Sequence, residues 1–275
     1  MADLLILGCG YLGRRVGRLC RSRGIRAYGT TRSAEKAEQI ARWGIEPIVC
    51  DLLDPDAPAK WPAVDRVLFC MGHGKEGRPD HRIGLENSLR AAREARWVYA
   101  SSTGVYGQQG GEWIDEDSPA EPKTASGRAC LEAEAAVRNS GRPAAIVRFA
   151  GLYGPGRVIR RASLERGEPI PGDPTHHLNL IHIDDAAGAV VAAFDRPDGD
   201  LAIAADDMPV TRLEYYEGAA ELLGAAPPRF SGAGERDASN KRASNRRLRQ
   251  EWGVPLAYPT IRTGLPHALA TPDQP

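Results

Sequence analysis

The sequence offers no surplus of charge: 36 Lys and Arg stand against 36 Asp and Glu. A neutral chain cannot hold a polyanion such as nucleic acid by bulk charge. It has no long hydrophobic run. The apolar stretch in MADLLILGCG is too short for a membrane span or a signal peptide, and no basic segment precedes it. A cytoplasmic protein without membrane contact is the expectation. Cysteine is sparse. Cys9, Cys20, Cys50, Cys70 and Cys130 form no Cys-x-x-Cys pair and have no neighbouring histidine. They read as reduced, buried, small apolar residues, and no metal site is expected. Tyrosine is absent between Tyr106 and Tyr153, and Lys123 is the only lysine in that stretch. This excludes any tyrosine–lysine pair there.

What is present is an alternation. The chain of 275 residues, 42% hydrophobic and 26% charged, can bury a full core as one large domain or two unequal ones. DLLILG reads as a buried strand, and YLGRRVGRLCRSRG follows with Leu12, Val16 and Leu19 at helical spacing. IRAYGTT, EPIVCDL, VDRVLFCMG, RWVYASS and AAIVRFAG read as further strands. Between them, SAEKAEQIARWG, HRIGLENSLRAAREA and SGRACLEAEAAVRNSG read as helices. Ser33 is an N-cap signal, and Gly24 and Gly44 are stops. Apolar strands separated by helices predict a parallel sheet covered on both faces, the doubly wound α/β (Rossmann) class. After Gly151 the texture turns to Pro, Gly and charge. HIDDAAGAVVAAFDRP then reads as a helix, DLAIAAD as a strand and TRLEYYEGAAELLG as a helix. The basic run KRASNRRLRQEWG has no interleaved aromatic residues and reads as a solvated helix face.

GCGYLG sits between the first strand and the first helix. Gly8 would make the tight turn, Gly10 would admit a pyrophosphate, and Gly13 would let helix pack on strand. The helix N-terminus supplies free N–H groups to the phosphates. NAD-binding versions place an acid about twenty residues on, for the ribose 2′-OH. Here the second strand ends in Thr30, Thr31, Arg32 and Ser33. The fork of Arg32 suits a 2′-phosphate, which favours NADP(H) over NAD(H). Asp51 can take the adenine amino group or cap a turn. The expected cofactor-binding set is Gly8, Gly10, Tyr11, Leu12, Gly13, Thr31, Arg32, Ser33, Asp51, Leu52, Met71 and Gly72.

GCGYLG, YASSTGVYG (99 to 107), GRACLEAE (127 to 134), RFAGLYGPGR (148 to 157), NLIHIDDAA (179 to 187), SNRRLR and YPTIRTGL occur in this order over nearly the whole chain. In this the chain resembles the extended short-chain dehydrogenases/reductases, the NAD(P)-dependent epimerase/dehydratase group. The resemblance implies a Rossmann domain over 1–155 that also takes 178–205, a smaller α/β substrate domain over most of 156–275, and a small-molecule substrate between them. It implies that Ser102, with Thr103 beside it, binds the substrate oxygen. It also implies a tyrosine and, four residues later, a lysine on one helix face. The matching positions are Ser126 and Cys130, so the family's acid is missing. Tyr106, Lys123 and Tyr153 are candidate replacements; Arg128 points to another face of the helix. Ser102, Thr103, Ser126 and Tyr106 are the expected catalytic set. The chain is then an oxidoreductase or epimerase/dehydratase acting on a carbonyl or sugar-nucleotide-type molecule with an unusual site, or a catalytically silent NADP(H) sensor. Relatives often dimerise through a four-helix bundle; no clear apolar stripe argues for it here, and a homodimer stays open.

Other residues carry further expectations. Arg157 can meet a substrate anion. Asp185 reads as a helix cap. His176 and His177 can line the cleft, with no third residue spaced to complete a metal site. His182 lies in the segment that closes the cleft, and His73 follows the fourth strand. GGEWIDEDSPAEPK reads as a polar lid with Trp113 packing over the ligand.

Overall fold

Short apolar runs bounded by turn residues become the strands of one parallel sheet. The computed structural model describes residues 3–72, 80–91, 94–232 and 239–274; His73 lies outside them. In chain order the strands are β1 (Leu4–Leu7), β2 (Ala27–Thr31), β3 (Glu46–Val49), β4 (Arg66–Phe69), β5 (Arg96–Ser102) and β6 (Glu112–Ile114). There follow β7 (Ala144–Phe149), β8 (Gly151–Tyr153), β9 (His177–Leu178), β10 (Leu180–His182), β11 (Leu201–Ala204), β12 (Val210–Thr211) and β13 (Lys241–Ala243). The central sheet has seven of them in the order β11-β7-β5-β4-β1-β2-β3, every neighbouring pair parallel. The chain runs outward from β1 to β3, then returns to β4 on the other side of β1. That reversal is where open α/β sheets bind ligands.

Side-chain alternation divides the core. Leu4 and Ile6 face one layer with Leu12, Val16, Ile40 and Val190; Leu5 and Leu7 face the other with Leu85, Leu89, Ala133 and Val137. The first layer is made by α1 (Tyr11–Ser22), α2 (Ala34–Arg42) and, later in the chain, Ile183–Ala193. The second is made by α3 (Asp80–Ala91) and α4 (Ala125–Asn139). β3 corrects the expectation of burial on both faces. It is the edge strand, with Glu46, Pro47 and Val49 exposed, and Pro47, lacking an N–H, suits an edge.

Beyond β8 come α5 (Arg161–Glu165), α6 (Ile183–Ala193), α7 (Arg212–Leu223) and α8 (Ile261–Ala270). A separate apolar cluster forms here from Tyr153, Leu164, Ile170, Tyr215, Tyr216, Ile261 and Leu265. α7 starts on a capping box of Thr211 and Glu214 and stops at Gly224, which takes φ +63°. The basic run is not a solvated helix face. It is β13, paired with β6, followed by a single π turn at Arg247–Glu251. Arg247 lies 3.9 Å from Glu116 and 3.6 Å from Asp117, so its charge is spent on the acids of the 110–123 loop. Among the described residues no helix is long and apolar enough to cross a membrane.

The start of α4 lies hard against the helical turn Thr103–Val105. A Cβ built on Gly127 would stand 2.3 Å from the Gly104 carbonyl oxygen. Alanine for glycine inside a helix ordinarily stabilises by about 0.5–1 kcal/mol. Here the methyl would meet backbone, so Gly127→Ala is expected to destabilise by about 1–3 kcal/mol. The urea midpoint measures it. A raised midpoint would mean that α4 is free to move off the turn.

Candidate functional site

Because β1, β2, β3, β4 and β5 are parallel, their C-terminal ends share one edge of the sheet, and the turns that leave them meet there. After β1, Gly8 takes φ +85° and packs onto the next crossing: a Cβ on it would stand 2.5 Å from the Met71 Cα. Its N–H donates to the Thr30 hydroxyl at 2.9 Å, and Cys9 N–H donates to the Thr30 carbonyl at 3.0 Å. Gly10 is open, the nearest atom to a Cβ built there being the Gly8 oxygen at 3.9 Å. Among the described residues no side chain caps the N-terminus of α1. A Cβ on Gly13 would meet the Ile6 Cγ2 at 2.8 Å. These are an acute turn, an unobstructed approach and a close helix–strand contact. Leu12 is buried beneath the turn, and the Tyr11 hydroxyl donates to the Pro155 carbonyl at 3.0 Å.

The neighbouring turns add side chains. Thr31 accepts from Ser33 N–H, and Ser33 caps α2 by accepting from Lys36 N–H. Arg32 is exposed and has no hydrogen bond or ion pair with any described residue. Asp51 is exposed; one oxygen accepts from Leu53 N–H at 3.1 Å. Leu52 and Met71 both flank Gly84, a Cβ there standing 3.4 and 3.0 Å from them, and Gly72 is exposed.

At the end of β5, Ser102 is half-buried and its oxygen accepts from Gly104 N–H at 3.0 Å, while Thr103 is buried. Ser126 is exposed on the first turn of α4 and shares a 3.2 Å hydrogen bond with Thr124, the helix cap. Cys130 is buried against Tyr99 and Ser101, and burial pushes its thiol up to about 11. Neutral at physiological pH, it is no substitute for an ammonium. Tyr106 is buried too, and its hydroxyl accepts from Arg148 at 2.6 Å. Burial pushes this phenol up to about 12 despite the guanidinium beside it. Lys123 is exposed, and Tyr153 is wholly buried with a hydroxyl that has no hydrogen-bond partner among the described residues.

A buried ion pair brackets the Ser102 turn. Glu134, 0% exposed, accepts from Arg148 Nε at 2.9 Å and Nη2 at 2.7 Å, and from the Ser101 hydroxyl at 2.6 Å. Arg148 then reaches Tyr106. Ser101 before the turn and Tyr106 at its end are therefore tied to the two halves of one ion pair. Sequence reading missed this: Glu134 ends GRACLEAE and Arg148 opens RFAGLYGPGR, but nothing in either stretch tells that the two residues meet in the core. Lys241 was missed as well. It is 4% exposed, donates to the Tyr106 carbonyl at 2.9 Å and to the Ser239 hydroxyl at 2.8 Å, and burial lowers it to about 8. An ammonium in that range can give up a proton near neutral pH.

Several expectations need correction. Asp185 does not cap its own helix. His182 does, its Nδ1 accepting from Asp184 N–H at 3.2 Å. Asp185 instead accepts from Ala257 and Tyr258 N–H at 2.7 and 2.9 Å, tying down a distant loop. The 110–123 loop is anchored by β6, and Trp113, 55% exposed, carries the Arg242 guanidinium over its ring rather than forming a free lid. His177 is tied to Asn240. His182, Asp184 and His267 bring ligand atoms within 4.8 Å of one another. Burial, then the neighbouring His267 and Arg15, lowers His182 to about 3, and Arg15 holds Asp184 at 3.3 Å. That guanidinium makes the cluster a poor seat for a cation. An open depression lined by Trp113, Asp206, Asn245, Arg246, Arg249 and Pro255 contains none of the expected catalytic or cofactor residues.

The sequence model of the NAD dependent epimerase/dehydratase family matches residues 4–204. Protein YeeZ of Escherichia coli (strain K12) is 32% identical over 272 residues, covering 94% of this chain and 97% of the relative. A 3-diazoavenalumate denitrifying reductase of Streptomyces sp is 27% identical over 303 residues, covering 95% and 98%. The solved structure of a functionally unknown conserved protein from Silicibacter pomeroyi DSS superposes with a TM-score of 0.84 at 30% identity, covering 100% of both chains.

Two measurements test this electrostatic picture. Arg148→Met leaves the buried Glu134 carboxylate with only the Ser101 hydroxyl and the half-exposed Arg138 at 3.3 Å, and is expected to cost about 3 kcal/mol in denaturant unfolding, partly recovered by adding Glu134→Gln. A loss under about 1 kcal/mol would remove the pair from its bracketing role. Asp206 is buried with Oδ2 unpaired among the described residues, and burial pushes its carboxyl from 3.8 up to about 8. The folded chain keeps a proton that the unfolded chain releases near pH 4. This group's contribution is therefore full below pH 4 and declines as pH rises toward 8. Asp206→Asn should raise the melting temperature at pH 8 and change it little at pH 4; equal effects at both would show that no such proton is held.

Proposed function

The chain belongs to the NAD dependent epimerase/dehydratase family, and from that premise we propose that it is an NADP(H)-dependent oxidoreductase that reduces a small-molecule carbonyl, with its reaction centre at Ser102 and Thr103. The observation that carries this reading is the cradle at the reversal point of the sheet: an open Gly10, an α1 without a side-chain cap, and an exposed Arg32 that has no ion pair among the described residues. The pyrophosphate fits against the N–H groups of Gly10, Tyr11, Leu12 and Gly13. Arg32, with Thr31 and Ser33, would hold a 2′-phosphate. Asp51 has an oxygen left for the adenine amino group, between Leu52, Met71 and Gly72. Residues 1–155 with 178–205 form the dinucleotide half in this reading, and most of 156–275 forms the substrate half.

The bound cofactor supplies the hydride. The chain's own residues orient the acceptor. The Ser102 oxygen is taken by Gly104 N–H, so its proton is free to donate to the substrate oxygen. Ser126 offers a second hydroxyl on α4. The sequence contains no tyrosine–lysine pair, which favours a reaction with a small demand for acid, and the reductase name of the Streptomyces relative supports reduction over epimerisation. A second reading rests on the same absence: a silent NADP(H)-binding sensor that reports cofactor state to a protein partner.

Calorimetric titration with NADPH and NADH tests the cofactor. Preferential NADPH binding is expected, with the preference lost in Arg32→Ala; preference for NADH would overturn the reading of Arg32. Consumption of NADPH across a panel of carbonyl compounds tests the reaction. Ser102→Ala should abolish it at unchanged cofactor affinity. Surviving turnover would remove Ser102 from the reaction centre, and no turnover with any compound would favour the sensor.

A further inference from the structure

The turn at Gly154–Arg157 follows β8 and closes on itself. Arg157 N–H donates to the Gly154 carbonyl at 2.9 Å and Gly154 N–H to the Arg157 carbonyl at 3.2 Å. Pro155 and Gly156 occupy its tip, and Gly156 takes φ +75°, as the third position of a type II turn requires. This turn is wedged in place. A Cβ on Gly154 would stand 2.7 Å from Ile183, 2.9 Å from the Tyr11 hydroxyl and 3.2 Å from His182; one on Gly156 would stand 2.7 Å from Asp273. Tyr11, the first residue of α1, hydrogen-bonds the Pro155 carbonyl, and the Arg157 guanidinium lies over the Tyr11 ring, 5.6 Å from its centre.

The charges around α1 are unequally satisfied. Arg14 and Arg15 both reach Asp273, at 3.1 and 3.0 Å, and Arg15 also reaches Asp184. Arg157 is exposed and has no carboxylate partner among the described residues. A rigid turn thus holds an unneutralised planar cation beside the glycine-rich turn, on the first residue of the helix whose N-terminus is left uncapped.

We propose that Arg157, held beside Tyr11 at the start of α1, binds the pyrophosphate of the dinucleotide and does not serve as a substrate-anion ligand. The inference rests on the cofactor reading above. The guanidinium fork matches two phosphate oxygens, and the Tyr11 ring beside it keeps it near the glycine turn. Arg157 and Arg32 then have separable tasks. Arg32 discriminates between the two cofactors; Arg157 grips what they share.

The test is calorimetric titration of the whole chain with NADH, NADPH and ADP-ribose, which carries the pyrophosphate without the nicotinamide. Arg157→Ala should weaken all three by a similar factor, roughly ten- to hundredfold for a lost charged hydrogen-bond pair, with the NADPH to NADH ratio unchanged. Arg157→Lys should lie between, keeping the charge and losing the fork. Tyr11→Phe, which releases Pro155, should weaken all three less than Arg157→Ala does. Arg32→Ala should alter the ratio alone. Unchanged affinity for all three in Arg157→Ala and Arg157→Lys, with wild-type protein binding normally, would overturn the proposal and leave the cofactor reading standing. Wild-type protein that binds none of the three would overturn both. Melting curves of each variant separate lost affinity from lost fold, and the lysine variant carries the test if the alanine variant does not fold.

Discussion

The bidentate pair between Glu134 and Arg148 is the constraint on which the Ser102 edge of the sheet depends. It joins α4 to β7, and through Ser101 and Tyr106 it reaches β5 and the turn that leaves it. Each charge is excluded from water, which is costly unless every lone pair is used. Both carboxylate oxygens are used here, and the guanidinium spends three nitrogens on Glu134 and Tyr106. Any shift of one element against another would strand a charge in the core. The arrangement therefore specifies one geometry for the Ser102 turn more sharply than apolar packing alone would.

This bears on what α4 has kept. The helix begins on a Thr124 cap and is pressed against the Ser102 turn through Gly104 and Gly127. Cys130, one helical turn before Glu134, lies in the same buried region, where a thiol costs little and an unpaired ammonium would cost much. The helix retains the docking and the ion pair that fix the turn. At the two positions where the family pattern calls for a tyrosine and a lysine, the helix carries the exposed hydroxyl of Ser126 and the buried, neutral thiol of Cys130. Lys241 approaches from the other end of the chain, on the carbonyl of the residue that Arg148 holds by its ring hydroxyl.

How much of this was legible depended on sequence distance. Strands and helices of the parallel sheet are local patterns, and so is the glycine turn: Gly8, Gly10 and Gly13 stand within six residues, each with its own steric reason. The exposed edge at β3 was misread because a short apolar run looks the same at an edge as at a centre. The KRASNRRLRQEWG run was misread because charge density does not reveal partners. Arg247 answers Glu116 and Asp117 in the 110–123 loop, more than a hundred residues away, and Arg249 answers Asp207. The same holds for Glu134 with Arg148, Asp185 with the backbone of Tyr258, and His182 with His267. In each, both residues are ordinary in their own neighbourhood, and only the topology brings them together. Domain limits and the roles of Ser102, Thr103 and Ser126 came from family resemblance, since no spacing rule in a single sequence distinguishes a reactive hydroxyl from a turn-capping one.

The glycine turn is encoded in six consecutive residues but supported from afar. Tyr11 leans on Pro155, Arg15 on Asp184, and Arg14 and Arg15 on Asp273. A partly folded chain that has formed only its first β-α unit lacks these supports. Ligand binding is then linked to completion of the whole fold, and a ligand held at a hundred times its dissociation constant adds about 2.7 kcal/mol to global stability. For a protein of ordinary marginal stability, that is enough to change its lifetime against proteolysis. The amount of folded chain in a cell would then follow the supply of the nucleotide it binds, whatever reaction that nucleotide serves.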